Sequence, residues 1–355
     1  MLVAINTDGL YTTQAGTARY IRGLLGGLGR VRPAGMEWFE LAWPVENFEY
    51  RQPARSLKTA YREWLWAPHL AAREMKRLGA DVLHSTANYL VEPPRGVPNV
   101  ITVHDLALAR YPERFRSWQR WSGIRRLQLL PTAARIICIS EFTARELRAQ
   151  VPVDPKKIEV IYNGCESPEG DWPPEQGPAV EIPPRFLLFV GSLEPGKNLH
   201  LLREVYEHAG RRKVELPPLV IVGARWEGVG SEGRAPKNWH YLGRQPDSAL
   251  VYLYRRALAL LFPSKYEGFG LPIAEAMALG TPVICSRVAS LPEVAGDAAL
   301  YADLQPASYM DAILRLLKDA LLRTHLIEAG RKQAAKFSWD RCASQTAEVY
   351  RAVLR

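Results

Sequence analysis

Two successive series of short apolar runs and amphipathic segments constrain the fold of this chain more than any other feature. In the first half, apolar runs such as Leu2–Asp8 and Asn99–Asp105 alternate with helical patterns such as Thr17–Leu28. Runs that are apolar on both sides are typical of parallel strands covered on both faces of a sheet. The same alternation begins again at Phe186–Gly191. The sequence therefore predicts an α/β fold with two parallel, doubly wound sheets.

A Pro-rich stretch separates the two series. Residues 166–184 contain six prolines, a composition typical of a linker or a long surface loop. We expect a first domain over residues 1–167, a linker or loop over 168–184, and a second domain over 185–338. A last amphipathic helix is predicted at about 339–355. Ligands of such sheets bind outside the carboxyl ends of the strands, so the deepest cleft is expected between the two domains.

Composition places the chain among globular proteins. Its 355 residues are 47% hydrophobic and 23% charged, which suits two domains better than one. Every apolar run is too short to cross a membrane, and the N-terminal residues are expected to form a strand rather than a signal peptide. Four cysteines are scattered without metal-ligand spacing. We therefore expect reduced thiols, no metal site and a cytoplasmic location.

Positive charge is concentrated in the first half. Of the formal net charge of +9, +7 falls in residues 1–167, which hold 23 Lys and Arg against 16 Asp and Glu. Residues 110–126 hold six arginines and one glutamate with aromatic side chains between them, and residues 61–66 repeat the mixture. This pattern suits peripheral contact with an anionic membrane or a lipid-linked acceptor. The alternative is that the rings pack against the sheet and the arginines are solvated. We expect no nucleic acid partner.

The stretch Glu267–Glu275 joins a predicted buried strand to a predicted helix through a glycine-rich turn. Such a turn exposes backbone N–H groups, and a helix N-terminus favours an anion. Two carboxylates, eight positions apart, flank the turn. Carboxylates accept hydrogen bonds from the paired hydroxyls of a sugar or a ribose. Taken alone, a tight turn with two surface glutamates is the simpler interpretation.

Three further strand-to-helix turns carry candidate ligand-binding residues. Gly16 follows the first strand and would let the backbone approach a phosphate, although the G-x-G-x-x-G pattern is incomplete. His104 ends another strand, where Asp105 could fix its tautomer or cap the next segment. Lys197 stands beside a predicted helix N-terminus, which suits a diphosphate. The alternatives are an ordinary turn glycine, a core histidine and a surface lysine.

Together these segments resemble the retaining glycosyltransferases of family 4, which have the GT-B fold. The most specific match is residues 263–283, which carry the family's two glutamates separated by seven residues. Segments 140–144, 160–164, 290–298 and 337–339 extend the resemblance over nearly the whole chain. His104-Asp105-Leu106 resembles the branch that builds polysaccharides, often from mannosyl donors. The resemblance implies two Rossmann-like domains facing a central cleft, with the last helix crossing back to the first domain.

The resemblance also implies a reaction. A sugar would move, with retention, from GDP-mannose or a UDP-sugar to a hydroxyl of a glycan, a lipid-linked acceptor or a small molecule. Front-side attack would need neither a metal nor another cofactor. The implied catalytic residues are His104, Lys197 and Glu267. The implied donor-binding residues, with Glu275 on the ribose, are Gly16, Ser192, Lys197, Arg225, Gly268, Phe269, Gly270, Leu271 and Glu275.

One loop departs from the family pattern. The family commonly has Glu-Pro-Arg-Lys-Asn after the first strand of the second domain, and here Gly196 stands in place of the arginine. Arg225, after the next strand, could supply the missing counter-charge. Two alternative functions are a sugar-nucleotide epimerase of the same fold and a non-catalytic nucleotide-sugar-binding protein. The glutamate pair argues against the epimerase, and the intact His104 and Lys197 argue against a non-catalytic role.

Overall fold

We describe the fold from a computed structural model of the chain. The structure describes residues 1–13, 16–45, 54–87, 91–115, 117–166, 172–224 and 236–355. The chain forms two compact units. The first contains Met1–Gly164 and Trp339–Arg355, and the second contains Cys165–Ser338.

The first unit is built on a six-stranded parallel sheet. Its strands are β1 (Leu2–Asn6), β2 (Glu37–Leu41), β3 (Val82–Ser85), β4 (Asn99–Val103), β5 (Arg135–Cys138) and β6 (Ile158–Val160). They lie in the order β2-β1-β3-β4-β5-β6. The four inner strands β1, β3, β4 and β5 are buried almost throughout, as the continuous apolar runs predict. The crossovers change direction between β1 and β3, so this unit has a switch point there.

Helices cover this sheet. They are α1 (Gly9–Thr12), α2 (Gly16–Val31), α3 (Ala54–Tyr61), α4 (Ala71–Leu78), α5 (Ala107–Arg110), α6 (Ser117–Leu129) and α7 (Glu141–Gln150). Single turns of 3₁₀ helix occur at Pro112–Arg114, Leu130–Thr132 and Pro155–Lys157. A π-helical segment, Arg62–Leu70, joins α3 to α4 and contains Pro68. Residues 54–78 therefore form one helical run of changing pitch, because a proline inside a helix removes a backbone hydrogen bond.

The second unit repeats the plan with a different strand order. Its strands are β7 (Leu187–Val190), β8 (Leu219–Val222), β9 (Trp239–Gly243), β10 (Leu260–Phe262), β11 (Val283–Cys285) and β12 (Ala299–Tyr301). They lie in the order β12-β11-β10-β7-β8-β9, all parallel. The chain winds outward in both directions from β7, so the switch point lies between β7 and β10.

The helices of the second unit follow the predicted pattern closely. They are α8 (Leu199–Arg211), α9 (Asp247–Arg256), α10 (Leu271–Ala278), α11 (Leu291–Ala295), α12 (Pro306–Lys318) and α13 (Ala320–Ala334), with one 3₁₀ turn at Pro195–Lys197. A core of aliphatic and aromatic side chains fills the space between α8, α12 and the sheet. The described part of the Pro-rich stretch, residues 172–184, contains no helix or strand. Glu175 ties it to α9 through Arg255 and Arg256.

The last helix, α14 (Trp339–Ala352), belongs to the first unit. It packs against α2 at two glycines. A Cβ atom on Gly23 would overlap the ring of Trp339, and one on Gly27 would overlap the Trp339 carbonyl. Two helices approach this closely only where a side chain is missing. This contact confirms that the last helix returns to the first unit. The four cysteines are buried and unpaired with one another, as predicted.

Candidate active site

Lys197 and Glu267 meet at the switch point of the second sheet. Lys197 lies in the loop after β7, and Glu267 lies in the loop after the neighbouring strand β10. The Nζ atom of Lys197 donates to both carboxylate oxygens of Glu267, at 2.6 and 2.8 Å. Their side chains are only 17% and 10% exposed. Glu267 is therefore not a surface glutamate, and Lys197 is not a solvated surface lysine.

Close backbone packing shapes the loop that carries Lys197. Gly223, at the end of β8, has φ +151°, and a Cβ atom there would overlap the carbonyl of Gly191. The side-chain stem of Lys197 passes beside Gly191, and its Nζ lies 5.6 Å from the centre of the Phe262 ring. Lys265 donates its backbone N–H to the carbonyl of Gly196 at 2.8 Å. The two loops are thereby joined by backbone as well as by the ion pair.

The glycine-rich turn is held by a serine from a later loop. Ser290 Oγ, fully buried, lies 2.9 Å from the carbonyl oxygens of both Glu267 and Phe269. Gly270 caps α10 with φ +104°, a conformation that side-chain-bearing residues rarely adopt. Pro272 has no N–H, and Ile273 donates its N–H to the carbonyl of Gly270 at 2.9 Å, so in this first turn of α10 the N–H of Leu271 is the one without a partner within the helix. The turn therefore forms a fixed cradle beside a helix N-terminus, which suits an anion.

Glu275 lies one turn inside α10 and is buried, with 6% of its surface exposed. Tyr254, on α9, donates its hydroxyl to Glu275 Oε2 at 3.1 Å. Tyr254 and Ser290 are supporting residues that the sequence patterns did not single out. Ser290 stands at the start of a segment that resembles the family, and this was the available signal. Tyr254 lies in an ordinary amphipathic helix, so the sequence contained no signal that pointed to it.

The structure shows fewer contacts for the other residues that were predicted to bind the nucleotide-sugar donor. Ser192 donates to Glu194 within its own loop at 3.3 Å, and Gly268 and Phe269 belong to the turn described above. Gly16, in the first unit, is the exposed first residue of α2. Arg225 lies outside the described residues, so its proposed replacement of the family arginine stays a prediction.

His104 lies in the first unit, directly after β4. Its Nε2 is 2.8 Å from the carbonyl oxygen of Thr86, so Nε2 carries the proton and Nδ1 is the acceptor. The ring packs edge-on against Tyr20 at 4.9 Å. Burial lowers the pKa of His104, which keeps the imidazole neutral. Asp105 accepts the backbone N–H of Ala107 at 2.9 Å. Of its two predicted roles, Asp105 therefore takes the capping role, and Thr86 fixes the tautomer.

A buried polar chain beneath His104 was not predicted. His84, on β3, contacts the Tyr350 hydroxyl at 2.6 Å through Nδ1 and Thr102 Oγ1 at 2.8 Å through Nε2. Thr102 in turn lies 3.0 Å from the hydroxyl of Tyr20. Because Tyr350 is on α14, the chain ties the last helix to the sheet. Burial lowers the pKa of His84 to about 3.

The buried carboxylate of Asp8 lies two residues after β1, at the switch point of the first sheet. Asp8 accepts from the backbone N–H of Trp43 at 2.7 Å and from Asn6 Nδ2 at 3.0 Å. Burial raises its pKa. Throughout the described ranges, no group of three His, Cys, Asp or Glu side chains could hold a metal ion, and no described helix is long and apolar enough to span a membrane.

Two doubly wound parallel sheets, with polar loops gathered at a switch point, are the architecture of the GT-B fold. The first unit matches the profile of "Glycosyltransferase Family 4" over residues 16–167, and the second matches "Glycosyl transferases group 1" over residues 176–333. The chain therefore belongs to glycosyltransferase family 4.

Individual relatives agree with this assignment. The chain is 34% identical to the O-antigen chain mannosyltransferase B of Escherichia coli over 86% of this chain and 82% of that protein. The fold is similar to that of sucrose-phosphate synthase from Thermosynechococcus elongatus, with a TM-score of 0.72, 20% identity, and coverage of 99% and 98% of the two chains. It is also similar to Anabaena HepE in complex with UDP and glucose, with a TM-score of 0.67, 14% identity, and coverage of 99% and 100%.

Proposed function

We propose that this glycosyltransferase moves a hexose, with retention of configuration, from a nucleotide sugar to a hydroxyl of a growing glycan or a lipid-linked acceptor. The observation that carries the proposal is the Lys197–Glu267 pair. It places a cation and a carboxylate side by side at the switch point, where α/β sheets bind nucleotides. The ammonium group of Lys197 would contact the diphosphate of the donor, and the carboxylate of Glu267 would accept hydrogen bonds from the hydroxyls of the sugar.

Lys197 can contact Glu267 and the diphosphate of the donor at the same time. An ammonium group has three N–H donors, so Lys197 can contact a phosphate oxygen as well as Glu267. As the sugar–phosphate bond breaks, negative charge grows on the leaving diphosphate. A cation held in place before the reaction stabilises this charge without reorganisation. The N–H of Leu271 and the dipole of α10 would act in the same direction. Glu275 would hold the ribose hydroxyls, while Tyr254 fixes its orientation.

We propose front-side attack by the acceptor hydroxyl, with the leaving phosphate taking the proton. The carboxylate of Glu267 is engaged by Lys197, so it is suited to orient the sugar rather than to attack it. His104, neutral and with Nδ1 as acceptor, would contribute to recognition of the transferred sugar. The charge on the diphosphate is met by protein groups in this proposal, so turnover should need no divalent metal.

GDP-mannose is the first donor to test, because the relative from Escherichia coli is named as a mannosyltransferase. UDP-sugars are the second, because HepE was solved with UDP and glucose. A thermal-shift panel of nucleotide sugars would identify the donor, since a ligand that binds only the folded state raises its stability. Product anomer assignment by NMR tests retention. An inverted anomer, or no shift and no donor hydrolysis with any nucleotide sugar, would contradict the proposal.

Metal independence has its own test. Activity measured after treatment with EDTA should match the untreated enzyme. A loss of activity that magnesium or manganese restores would show that a metal, and not Lys197 with the helix N-terminus, meets the charge of the diphosphate.

We also propose that the enzyme works in the cytoplasm at the surface of the membrane, where lipid-linked acceptors are available. The basic first half of the chain supports this proposal.

A further inference from the structure

Among the described residues, six large hydrophobic side chains are exposed on two neighbouring segments of the first unit: Leu78, at the end of α4, is 39% exposed, and the other five are more exposed. The first segment is the helical run at 54–78, formed by α3, the π-helical segment and α4, and the second is α6. The exposed fractions are Leu57 75%, Trp64 74%, Leu65 44%, Trp121 62% and Ile124 49%. We call these five residues the apolar face. Burying one such side chain is worth roughly 1.5–3 kcal/mol, so their shared exposure indicates an interaction surface.

An ion pair shows that the two segments are adjacent. Arg126, on α6, lies 3.2 Å from both carboxylate oxygens of Glu63 on the helical run. Trp64 is the next residue after Glu63, and Ile124 is two residues before Arg126. Burial lowers the pKa of Arg126 while Glu63 opposes this shift. Arg126 is thus a structural cation that joins the segments rather than a solvated one.

The opposite sides of both segments face the core. On the helical run, Trp66, Ala67, Ala71 and Met75 are buried. On α6, Leu127 packs against the core of the first unit. Among the side chains of α6 that the structure describes, the exposed ones are Ser117, Arg120, Trp121, Ile124 and Gln128, which recur every three or four residues and share one helical face. The described core contacts therefore lie away from the apolar face, which is left for a partner.

The sequence of the segments that carry this face is strongly basic. Residues 54–78 and 110–126 together hold twelve Lys and Arg and three Asp and Glu, a net charge of +9. This equals the net charge of the entire chain. Arg73, Lys76 and Arg77 on the helical run and Arg120 on α6 are exposed. The partner should therefore be anionic and have an apolar layer within reach of indole rings.

We propose that the apolar face and its basic surroundings dock the first unit onto an anionic phospholipid bilayer. Indole rings are favoured at the boundary between headgroups and acyl chains. Each lysine or arginine beside an anionic leaflet adds about 1 kcal/mol. This inference rests on the proposed work at the membrane and names the surface that performs it. A second copy of the chain fits poorly, because a symmetric contact would bring two strongly positive surfaces together.

Vesicle sedimentation of the full chain tests the proposal. The probes are vesicles of phosphatidylcholine alone and of phosphatidylcholine mixed with phosphatidylglycerol. The wild type should bind the mixed vesicles at low salt, bind neutral vesicles weakly, and dissociate as salt rises because exposed charges are screened. Trp64→Gln/Trp121→Gln should lower the partition coefficient about tenfold or more, a change of about 1.4 kcal/mol. Lys76→Glu/Arg120→Glu should lower it to a similar extent.

Matched controls change exposed apolar and basic side chains elsewhere in the chain. Leu321 and Leu354 are exposed by 85% and 46% outside the apolar face, so Leu321→Gln/Leu354→Gln should leave binding unchanged. Lys318→Glu/Lys332→Glu, on α12 and α13, repeats the charge change on exposed lysines of the second unit. The thermal shift given by the donor should be the same in all four variants, which shows that each is folded and retains its donor site.

Three outcomes would overturn the assignment. The first is tight vesicle binding that the Trp64/Trp121 variant retains or that the controls lose equally. The second is equal binding to neutral and anionic vesicles. The third is a wild-type dimer that the Trp64/Trp121 variant dissociates, since the face would then bind a second copy. If the wild type binds no vesicle, the membrane proposal fails as a whole, whereas the donor proposal fails only if the thermal shift is also absent.

Discussion

The Nζ atom of Lys197 lies 2.6 Å from Oε1 and 2.8 Å from Oε2 of Glu267, although the two residues are 70 positions apart. They meet because β7 and β10 are neighbours in the sheet while the chain between them winds through β8 and β9. Neither residue can therefore be changed without affecting the other, and the first prediction follows from this coupling.

Lys197→Met should lower kcat about 100-fold or more, because the cation meets charge that grows in the transition state. Stability should also fall, since Glu267 would keep a largely buried carboxylate without its partner. Lys265→Met is the matched control, because Lys265 is exposed in the adjoining turn. Product formation and chemical unfolding measure the two effects. Normal turnover per folded molecule in the Lys197 variant would show that Lys197 is only structural.

Glu275→Ala should weaken donor binding about tenfold to a hundredfold, because a hydrogen bond to a charged group is worth about 1.5–3 kcal/mol. Tyr254→Phe keeps the carboxylate and removes only the hydroxyl at 3.1 Å from it, so its effect on affinity should be smaller. Calorimetric titration with the donor measures both variants. Unchanged affinity in the Glu275 variant would remove this residue from ribose binding.

Gly27→Ala should destabilise the protein by about 1–3 kcal/mol, because its Cβ atom would overlap the backbone of Trp339. Gly29→Ala, two residues later on α2, is the control: apart from its chain neighbours and the backbone of its own helix, no heavy atom lies within 4 Å of the added Cβ atom. Alanine there should be neutral or should stabilise by about 0.5–1 kcal/mol, as it does in helix interiors. Urea unfolding would compare them. Equal effects would contradict the packing of α14 on α2.

His84 should make the protein sensitive to acid. Its pKa falls from 6.5 to about 3 on folding, so below pH 6.5 the unfolded chain binds a proton that the folded chain does not. The stability that comes from keeping His84 neutral is fully present above pH 6.5 and is lost as pH falls towards 3, by about 1.4 kcal/mol per pH unit.

The corresponding test uses His84→Gln. This variant should be less stable than the wild type at pH 7.5, because it disturbs the contacts with Tyr350 and Thr102. The difference should shrink by about 2 kcal/mol between pH 6.5 and 5, because the variant has no proton to gain at this position. His325→Gln, at an exposed position, should show no such convergence. If the free energies of unfolding of the wild type and of His84→Gln changed with pH in parallel, the imidazole of His84 would not be buried and neutral.

Hydrophobic periodicity and turn chemistry act over a few neighbouring residues, so the sequence by itself determined most elements. It identified the two βα series, the strand before Glu267, the helix that contains Glu275 and the final helix. It also carried the family, because residues 263–283 combine a strand end, a glycine turn and two glutamates in one continuous block. The changed pitch at Arg62–Leu70 escaped detection because Pro68 acts within an otherwise regular helical pattern.

Only the tertiary structure decided which of these residues meet. The strand order brought Lys197 to Glu267 and Ser290 to the glycine turn. It also made Thr86, rather than the adjacent Asp105, the partner of His104. Tyr350 reaches His84 across 266 positions because α14 returns to the first unit. Such contacts depend on strand order and on the path of each crossover. These are set by the packing of the whole unit, and a local pattern of side chains does not encode them.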